Sequence, residues 1–485
     1  MYLGKMPRPA FGIRIPEIVV PAVLKSFKEL NIAGTLMLSF NRETAPEKFI
    51  SSLNPKHFYL GHTGTSISRY IASATDFSKQ FSIPIEIEAD HVSIMGSVER
   101  ALKRIAGVAI EESLSDSEIS ESLGYIEEEF KEVSRAGGVD FVTIDTCELV
   151  GTKIEMLSNE DILYLYENRI EPDYRRSLEN RFLRSFNFVS DDRVLFIKFT
   201  RMDVAKLALK YDKSIRYIEK VVDIVKKYNE REFGIEVALD ELPLKTGVKD
   251  ALFYAAELIH RGINIDFLAP NIGFRKREDY TEDLSTLYEH VRNLHTVLSS
   301  IGVCISIHSG SGAHPYSDKG AGVWEVVRRA TGGLVKYKMS GVLIQLLLEI
   351  LYQSELGTKP RRIYDEIYDS VLEHIYSVVK SKDGIYSPEL EKLLKAYEES
   401  SARDPTYKRN PRADVFRHYF YLFQTIRDAG GFRKLREELI NLLESDAYVR
   451  KKYEVEVNNL IDRFSKALGF TNNINKYKVV VMPTE

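Results

Sequence analysis

The amino-acid sequence predicts an α/β protein: a (β/α)8 TIM-type barrel with an insertion after strand four and a helical C-terminal extension. Eight apolar, β-rich runs are spaced along the first 340 residues, and amphipathic helical runs lie between them. Several of these runs end in Asp, Glu, His or Lys. Parallel strands joined by crossover helices close into a barrel, and the strand ends place chemical groups at one mouth.

The predicted strands follow one another at spacings that leave room for a helix between most of them. They cover residues 33–40, 57–62, 84–90, 140–146, 234–240, 264–271, 303–309 and 334–340. Apolar residues recur at three- and four-residue spacing between these strands, which predicts helices over residues 97–106, 116–136, 204–228, 248–261, 281–300 and 321–330.

Two segments exceed what a simple barrel needs. The chain between the fourth and fifth strands is too long for one βα unit and contains a further apolar run at residues 193–200, so we expect an insertion at about residues 146–232. After Gly341 the β signals cease. The barrel with its insertion is therefore predicted over residues 1–345, and a mostly helical extension over residues 346–485. The apolar run at 342–352 is interrupted by Gln345 and Glu349, which predicts a core helix rather than a membrane span.

Composition excludes several classes of protein. A net charge of -4, with basic residues spread along the chain, predicts no nucleic-acid partner. Prolines and charges interrupt the N-terminal 20 residues, so we expect no signal peptide, no membrane association and a cytoplasmic protein. With only Cys147 and Cys304, a thiolate cage cannot form, and any metal must use oxygen and imidazole ligands. The scarcity of Gln is a weak indication of a thermophilic source.

Three carboxylates share one face of the predicted third strand. Glu86, Glu88 and Asp90 alternate with apolar residues, so their side chains point the same way. They cannot face an apolar helix layer, and we expect them to point toward the barrel axis, where buried charges require cations, a metal or hydrogen-bond donors. The alternative is a strand whose charges are exposed to solvent.

Imidazole and carboxylate groups end three of the predicted strands. His91 follows the third strand, Asp240 and Glu241 end the fifth, and His308 ends the seventh. This mixture binds Zn²⁺, Mn²⁺ or a similar divalent ion with positions left open for substrate. We predict His91, Asp240 and His308 as ligands, with Glu241 as the alternative to Asp240. Each histidine taken alone fits a hydrogen-bonded core residue as well.

The ends of the last two strands offer groups that bind anions. Lys338 lies at an inward position, where it would hold a substrate carboxylate, polarise a carbonyl or form a Schiff base; a buried partner for the carboxylates is the alternative. Ser309 and Ser311 lie in a glycine-rich loop that precedes a helix and offers N–H groups to a carboxylate or phosphate. No motif of acyl-transfer hydrolases is present.

Short islands of this sequence resemble the tagaturonate epimerase family, metal-dependent enzymes that interconvert tagaturonate and fructuronate. The resemblance spans roughly residues 8 to 425 and is carried by these segments: Ala89-Asp90-His91-Val92, Thr143-Ile144-Asp145, residues 237–241, residues 306–311, Ala330-Thr331-Gly332-Gly333, Lys338 and Gly341, with weaker similarity at residues 39–44, residues 268–280, Arg412 and His418. The chain departs from the family at Gly312-Ala313 and at Phe274-Arg275-Lys276-Arg277.

The resemblance, together with strand-end position, implies an isomerase that acts on a keto-hexuronate by retro-aldol and aldol chemistry. The substrate is then a small sugar acid, and a homo-oligomer is possible. The implied catalytic residues are Asp90, Asp145, Glu241 and Lys338, and the implied substrate-binding residues are Glu88, Arg275, Ser309, Ser311 and His418. Two alternatives remain open: a class II metal-dependent sugar or sugar-phosphate aldolase, and a barrel that binds a sugar acid without catalysis.

Overall fold

A closed barrel of eight parallel strands forms the centre of the molecule and confirms the predicted fold class. The computed structural model describes residues 1–95, 100, 114–190 and 192–477. Its strands are β1 (Arg8–Gly12), β2 (Gly34–Ser39), β3 (Thr44–Ala45), β4 (Thr65–Ser66), β5 (Ile85–Ser93), β6 (Phe141–Asp145), β7 (Ser185–Ser190), β8 (Arg193–Lys198), β9 (Gly234–Ala238), β10 (Phe267–Ala269), β11 (Cys304–Ile307) and β12 (Val335–Met339). Around the barrel the order is β1-β2-β5-β6-β9-β10-β11-β12, and β12 pairs with β1 to close it.

Seven of the eight predicted strands are confirmed, but the prediction at residues 57–62 is wrong. That segment begins inside a 3-10 helix, Pro55–His57, and continues in turns that include Gly61 with φ +55°. Its aromatic residues pack on the C-terminal extension instead, where Phe58 stacks on His374 at 5.5 Å between ring centroids. The missing barrel strand is β1, at the N-terminus. Its apolar pattern is hidden because Pro9 and the inward-facing Arg8 interrupt a run of only five residues.

Helices surround the barrel and continue past it. In chain order they are α1 (Pro16–Leu30), α2 (Glu47–Ile50), α3 (Ile67–Phe81), α4 (Asp116–Arg135), α5 (Asn159–Arg169), α6 (Pro172–Phe182), α7 (Arg201–Tyr228), α8 (Val248–His260), α9 (Leu284–Ser300), α10 (Val323–Thr331), α11 (Val342–Tyr352), α12 (Lys359–Ser381), α13 (Pro388–Arg403), α14 (Asp414–Tyr419), α15 (Leu422–Thr425), α16 (Lys434–Ser445), α17 (Ala447–Leu468) and α18 (Asn473–Lys476). The helices α4 and α7–α10 match five of the predictions. The predicted helix at residues 97–106 falls outside the described residues, apart from Arg100.

The long connection between β6 and β9 holds two short 3-10 helices, α5, α6, an antiparallel hairpin of β7 and β8, and finally α7. The apolar run at residues 193–200 is therefore largely strand β8. Helix α7 begins at a capping box, in which the side chain of Thr200 accepts from the backbone N–H of Asp203 and the Asp203 carboxylate accepts from the backbone N–H of Thr200. Its buried face, which includes Ile215, Ile218 and Val222, joins the core around the barrel.

The regular elements described after β12 are all helices, and they pack both over the C-terminal end of the barrel and along its side, where α17 lies against α1. Helix α11 is buried along almost its whole length, which confirms the predicted core helix. Thr425 donates a hydrogen bond to the carbonyl of His62 at 2.9 Å, and Arg436 donates to the carbonyl of Thr63 at 3.0 Å. These contacts hold α15 and α16 against the segment after β3, and His418 and Tyr419 of α14 line a cavity at the barrel mouth. Among the described helices, none combines the length and apolarity that crossing a bilayer requires.

Candidate active site

A cavity of about 970 Å³ opens at the C-terminal ends of the barrel strands. The strand ends and the loops after them form its floor and walls, and the residues around α14 and α15 close its outer side. Its lining includes Arg14, Arg42, Glu43, His62, Asp90, His91, Asp240, Glu241, Arg277, His308, Ser309, Ser311, Lys338, His418 and Tyr421. Loops after parallel barrel strands are the usual place for ligand binding in this fold.

Below the cavity, buried ion pairs fill the barrel interior. The guanidinium of Arg8 donates to Glu86 Oε1 at 2.6 Å, and neither side chain is exposed. The ammonium of Lys336 lies 2.8 Å from Glu88 Oε2 and 3.3 Å from Glu236 Oε2. It also lies 3.6 Å above the centre of the Phe141 ring. Buried charges persist only when they are paired in this way. The inward direction that the alternating pattern predicts for these acidic side chains is confirmed.

Lys338 joins this interior to the cavity. Its ammonium lies 2.5 Å from Glu88, 2.8 Å from Asp90 and 2.9 Å from Glu236, and it donates to the Thr143 hydroxyl at 2.8 Å. Burial opposes protonation, but the three carboxylates outweigh it and hold the pKa of Lys338 well above its ordinary value. A Schiff base requires a neutral amine, so this environment disfavours that interpretation of Lys338.

A local irregularity of β5 turns two consecutive side chains toward the cavity. Neighbours on a regular strand point to opposite faces, yet Asp90 and His91 both line the cavity. The pairing of β5 with β6 shifts register between Ala89 and Val92, and His91 has φ +46°. Such bulges re-aim side chains at barrel rims and active sites. Asp90 accepts from Ser39 at 3.0 Å, so its carboxylate is held on both sides.

The predicted metal ligands meet at one wall of the cavity. His91, Asp240 and His308 each offer a ligand atom, and these atoms lie within 4.8 Å of one another. Nδ1 of His308 lies 3.1 Å from Asp240 Oδ1, and its Nε2 lies 2.5 Å from Glu236 Oε1. Burial favours the neutral ring, but Asp240 and Glu236 outweigh it and raise the pKa of His308 to about 9. The three side chains can converge on a single divalent cation.

A second group, His91, Asp145 and Glu241, also brings its ligand atoms within 4.8 Å. Asp145 lies behind His91, with 3.4 Å between Oδ2 and the ring Nδ1. Glu241 is held by cations: Arg42 donates to both of its oxygens at 2.6 and 2.9 Å, and Lys276 donates at 2.7 Å. Burial opposes ionisation, but Arg42 and Lys276 hold the pKa of Glu241 well below its ordinary value. Its oxygens are thus less available to a metal than those of Asp240.

The predicted substrate-binding residues are only partly brought together. Ser309, Ser311 and His418 line the cavity, whereas Glu88 lies beneath Lys338 and is absent from the cavity wall. The side chain of Arg275 borders the cavity but is 80% exposed and lies 3.8 Å from Glu278. Burial and nearby Arg277 lower the pKa of His418 to about 4, so its ring is neutral at physiological pH.

The sequence analysis did not identify several residues of the site. Arg14 follows β1, which the sequence analysis missed, and Arg42 and Arg277 lie in loops without periodicity. Lys336 and Glu236 carried a usable signal, because Lys336 lies two residues before Lys338 and Glu236 lies four residues before Asp240, and even spacing places residues on the same face of a strand.

Comparison with known proteins identifies relatives. The model of the tagaturonate epimerase family matches residues 126–458. Among solved structures, fructuronate-tagaturonate epimerase UxaE from Cohnella laeviribosi with one bound glycerol is 17% identical, with a TM-score of 0.66, and the match covers 97% of this chain and 82% of that chain. Its complex with two glycerols is 16% identical, with a TM-score of 0.66 and coverage of 97% and 83%. A search of curated proteins gave no match. At these identities, the structural likeness establishes the fold.

Proposed function

Because this chain belongs to the tagaturonate epimerase family, we propose that it is a metal-dependent epimerase that interconverts the keto-hexuronates tagaturonate and fructuronate. The convergence of His91, Asp240 and His308 at the cavity wall carries this proposal. Family membership supports the class of reaction and substrate, and the three side chains supply the chemistry that the reaction needs.

The residues present fit a divalent cation. Two imidazoles and a carboxylate form a ligand set typical of catalytic sites with open positions. Nδ1 of His308 and Oδ1 of Asp240 are buried and lie 3.1 Å apart, yet they make no well-aligned hydrogen bond among the described residues. A cation bound between them would replace this contact and displace the proton from the imidazole, as metal binding to histidine requires. When bound, a divalent cation would act as a Lewis acid and polarise the substrate carbonyl.

The reaction must invert a carbinol carbon two positions from a ketone. The carbonyl does not acidify that C–H bond, so simple proton abstraction is disfavoured, and reversible carbon–carbon cleavage is the simplest route. A base takes the hydroxyl proton, the oxygen's electrons form an aldehyde, and the electrons of the broken C–C bond pass to an enediolate. Rotation of the aldehyde, re-formation of the bond and return of the proton give the epimer.

The side chains around the cavity can divide these tasks. Glu241 lines the cavity and stays ionised beside Arg42, so we assign to it the transfer of the hydroxyl proton. Asp145 is set back from the cavity and orients His91. Lys338 provides a fixed positive charge beside the developing enediolate and holds Asp90 in place.

The test is to incubate the purified protein with tagaturonate, with and without added Mn²⁺ or Zn²⁺, and to quantify fructuronate and three-carbon products. We expect fructuronate, with loss of turnover after chelation and recovery when metal is restored. Accumulation of three-carbon products would instead identify an aldolase. Chelator-insensitive sugar-acid binding without turnover would identify a non-catalytic barrel.

A further inference from the structure

Arg277 is a positive charge at the cavity that forms no ion pair with a carboxylate of the described residues. Its half-buried side chain lines the cavity, with the guanidinium 5.8 Å above the ring of Tyr421. Within the part of the chain that the structure describes, no carboxylate oxygen lies within 4.0 Å of it. Its backbone has φ +60°, a strained conformation for a non-glycine residue that recurs at functional sites.

Two further donors lie on the same part of the wall. Arg14 is 7% exposed, and its Nη1 has no hydrogen-bond partner among the described residues. His62 is 5% exposed, and its Nδ1 likewise lacks a partner among them. Both side chains line the cavity. Buried polar atoms are nearly always satisfied, so a cluster of unsatisfied nitrogen atoms beside a cavity indicates a ligand that completes them.

The local charges do not cancel. Arg14 donates to Glu43 at 2.8 Å, and the neighbouring Arg417 donates to Asp414 at 2.8 Å, so each of these arginines has one carboxylate. The charge of Arg277 is left over. The charge of Arg277 also acts on the neighbouring imidazole, because burial, Arg14 and Arg277 together lower the pKa of His62 well below its ordinary value. Burial and Arg14 lower the pKa of Arg277 itself to about 10, so it stays protonated at neutral pH.

We propose that Arg277, together with Arg14 and His62, forms a binding site for the terminal anionic group of an open-chain sugar derivative. This inference rests on the proposed function only for the sugar backbone, because the anion site itself is argued from unpaired cationic and polar groups. A guanidinium matches a carboxylate or a phosphate with two parallel hydrogen bonds. The His91, Asp240 and His308 trio lines the same cavity, so both sites open into one space.

The test uses inert ligands, so that binding is measured without turnover. Isothermal titration compares gluconate, sorbitol and sorbitol 6-phosphate, which share a six-carbon open chain and differ in the terminal group. The variants are Arg277→Met, Arg277→Lys and the matched control Arg176→Met, which removes an arginine that is 73% exposed on α6. We expect the wild-type protein to bind one of the two anionic ligands more tightly than sorbitol. The tighter ligand identifies the site as a carboxylate or a phosphate site.

We expect Arg277→Met to weaken the preferred anion about 10- to 100-fold, the range of charge-assisted hydrogen bonds, and to leave sorbitol binding unchanged. Arg277→Lys should retain part of the affinity, and Arg176→Met all of it. Equal anion binding by wild type and Arg277→Met would overturn the inference even if the protein proves to be an epimerase. If anion binding depends on Arg277 but the protein does not turn over tagaturonate, the proposed function is contradicted and the anion-binding site is supported.

Discussion

The barrel contains two charged layers, one within the strands and one at their C-terminal ends, and they differ in what surrounds each charge. In the lower layer, Arg8, Glu86 and Lys336 are fully buried, and each lies within bonding distance of an opposite charge. In the upper layer, Asp240 and His308 also pair, at 3.1 Å, but both line the cavity, where a ligand can reach them. The residue types are similar, so composition alone does not separate the layers.

The comparison teaches how to distinguish structural charges from chemical ones. A charge sealed in the barrel with its partner can contribute to stability and to a unique fold, but it cannot contact a substrate. A charge that lines a cavity remains accessible and can bind a ligand. Substitutions of Arg8, His308 and Asp145 test this division between the lower layer and the mouth, and a substitution of Glu129 tests a buried acid outside both.

The lower layer should carry the largest effect on stability. Replacing Arg8 by Met leaves Glu86 buried without a cation, and we expect a loss of about 3–5 kcal/mol in the free energy of unfolding. Chemical denaturation measures it. The double variant Arg8→Met/Glu86→Leu should recover most of the loss, because both charges are gone. A double variant as unstable as the single one would show that the pair is not the cause.

At the mouth, the expected effect falls on activity instead. His308→Ala removes a proposed ligand, and we expect turnover of tagaturonate to fall by about 10³-fold, since a Lewis acid contributes several kcal/mol to the transition state. Metal content measured by inductively coupled plasma mass spectrometry should fall with it. His260→Ala, on the outer helix α8, is the matched control and should retain both. A metal-replete, active His308→Ala protein would contradict the assignment of the two layers.

Asp145 sharpens the comparison, because it is buried like the lower layer yet contacts His91. Asp145→Asn keeps the shape but weakens the orientation of the imidazole, and we expect metal affinity to fall about 10- to 100-fold. Competition with a fluorescent chelator measures this affinity. An unchanged metal affinity with a lower free energy of unfolding would show that Asp145 has a structural role, like the residues of the lower layer.

The sequence predicted the barrel because a strand's period of two and the helical periodicity between strands are both readable from it. The meeting of His91, Asp240 and His308 at one wall was expected from strand-end position, because parallel strands bring their last residues to one mouth, and not from alternation, which would turn His91 away from Asp90. Residues 57–62 were misassigned because an aromatic run packs on a distant helix as readily as in a sheet, and local sequence does not distinguish the two.

The arginines of the mouth could not be predicted in the same way. Arg42 and Arg277 lie on loops, where no periodicity fixes the direction of a side chain, and Arg275 was preferred although its neighbour Arg277 lies against Tyr421. The bulge that turns Asp90 and His91 the same way is likewise a property of pairing with β6, which the sequence of β5 does not reveal.

Glu129 on α4 provides the smallest test, because it is a buried acid that belongs to neither layer. It is fully buried, and neither oxygen has a well-aligned hydrogen-bond partner among the described residues. Burial, with a smaller contribution from Glu132, outweighs the backbone N–H of Asn41 and raises the pKa of Glu129 well above the ordinary value of 4.5. A raised carboxyl pKa stabilises the fold fully below pH 4.5, and this stability is lost as the pH rises toward the folded-state pKa. Glu129→Gln should therefore flatten the dependence of the unfolding midpoint on pH above 4.5 and make the variant the more stable protein at pH 8. If the unfolding midpoints of the wild type and Glu129→Gln depend on pH in parallel, Glu129 is ionised and paired in the folded protein, as the carboxylates of the lower layer are.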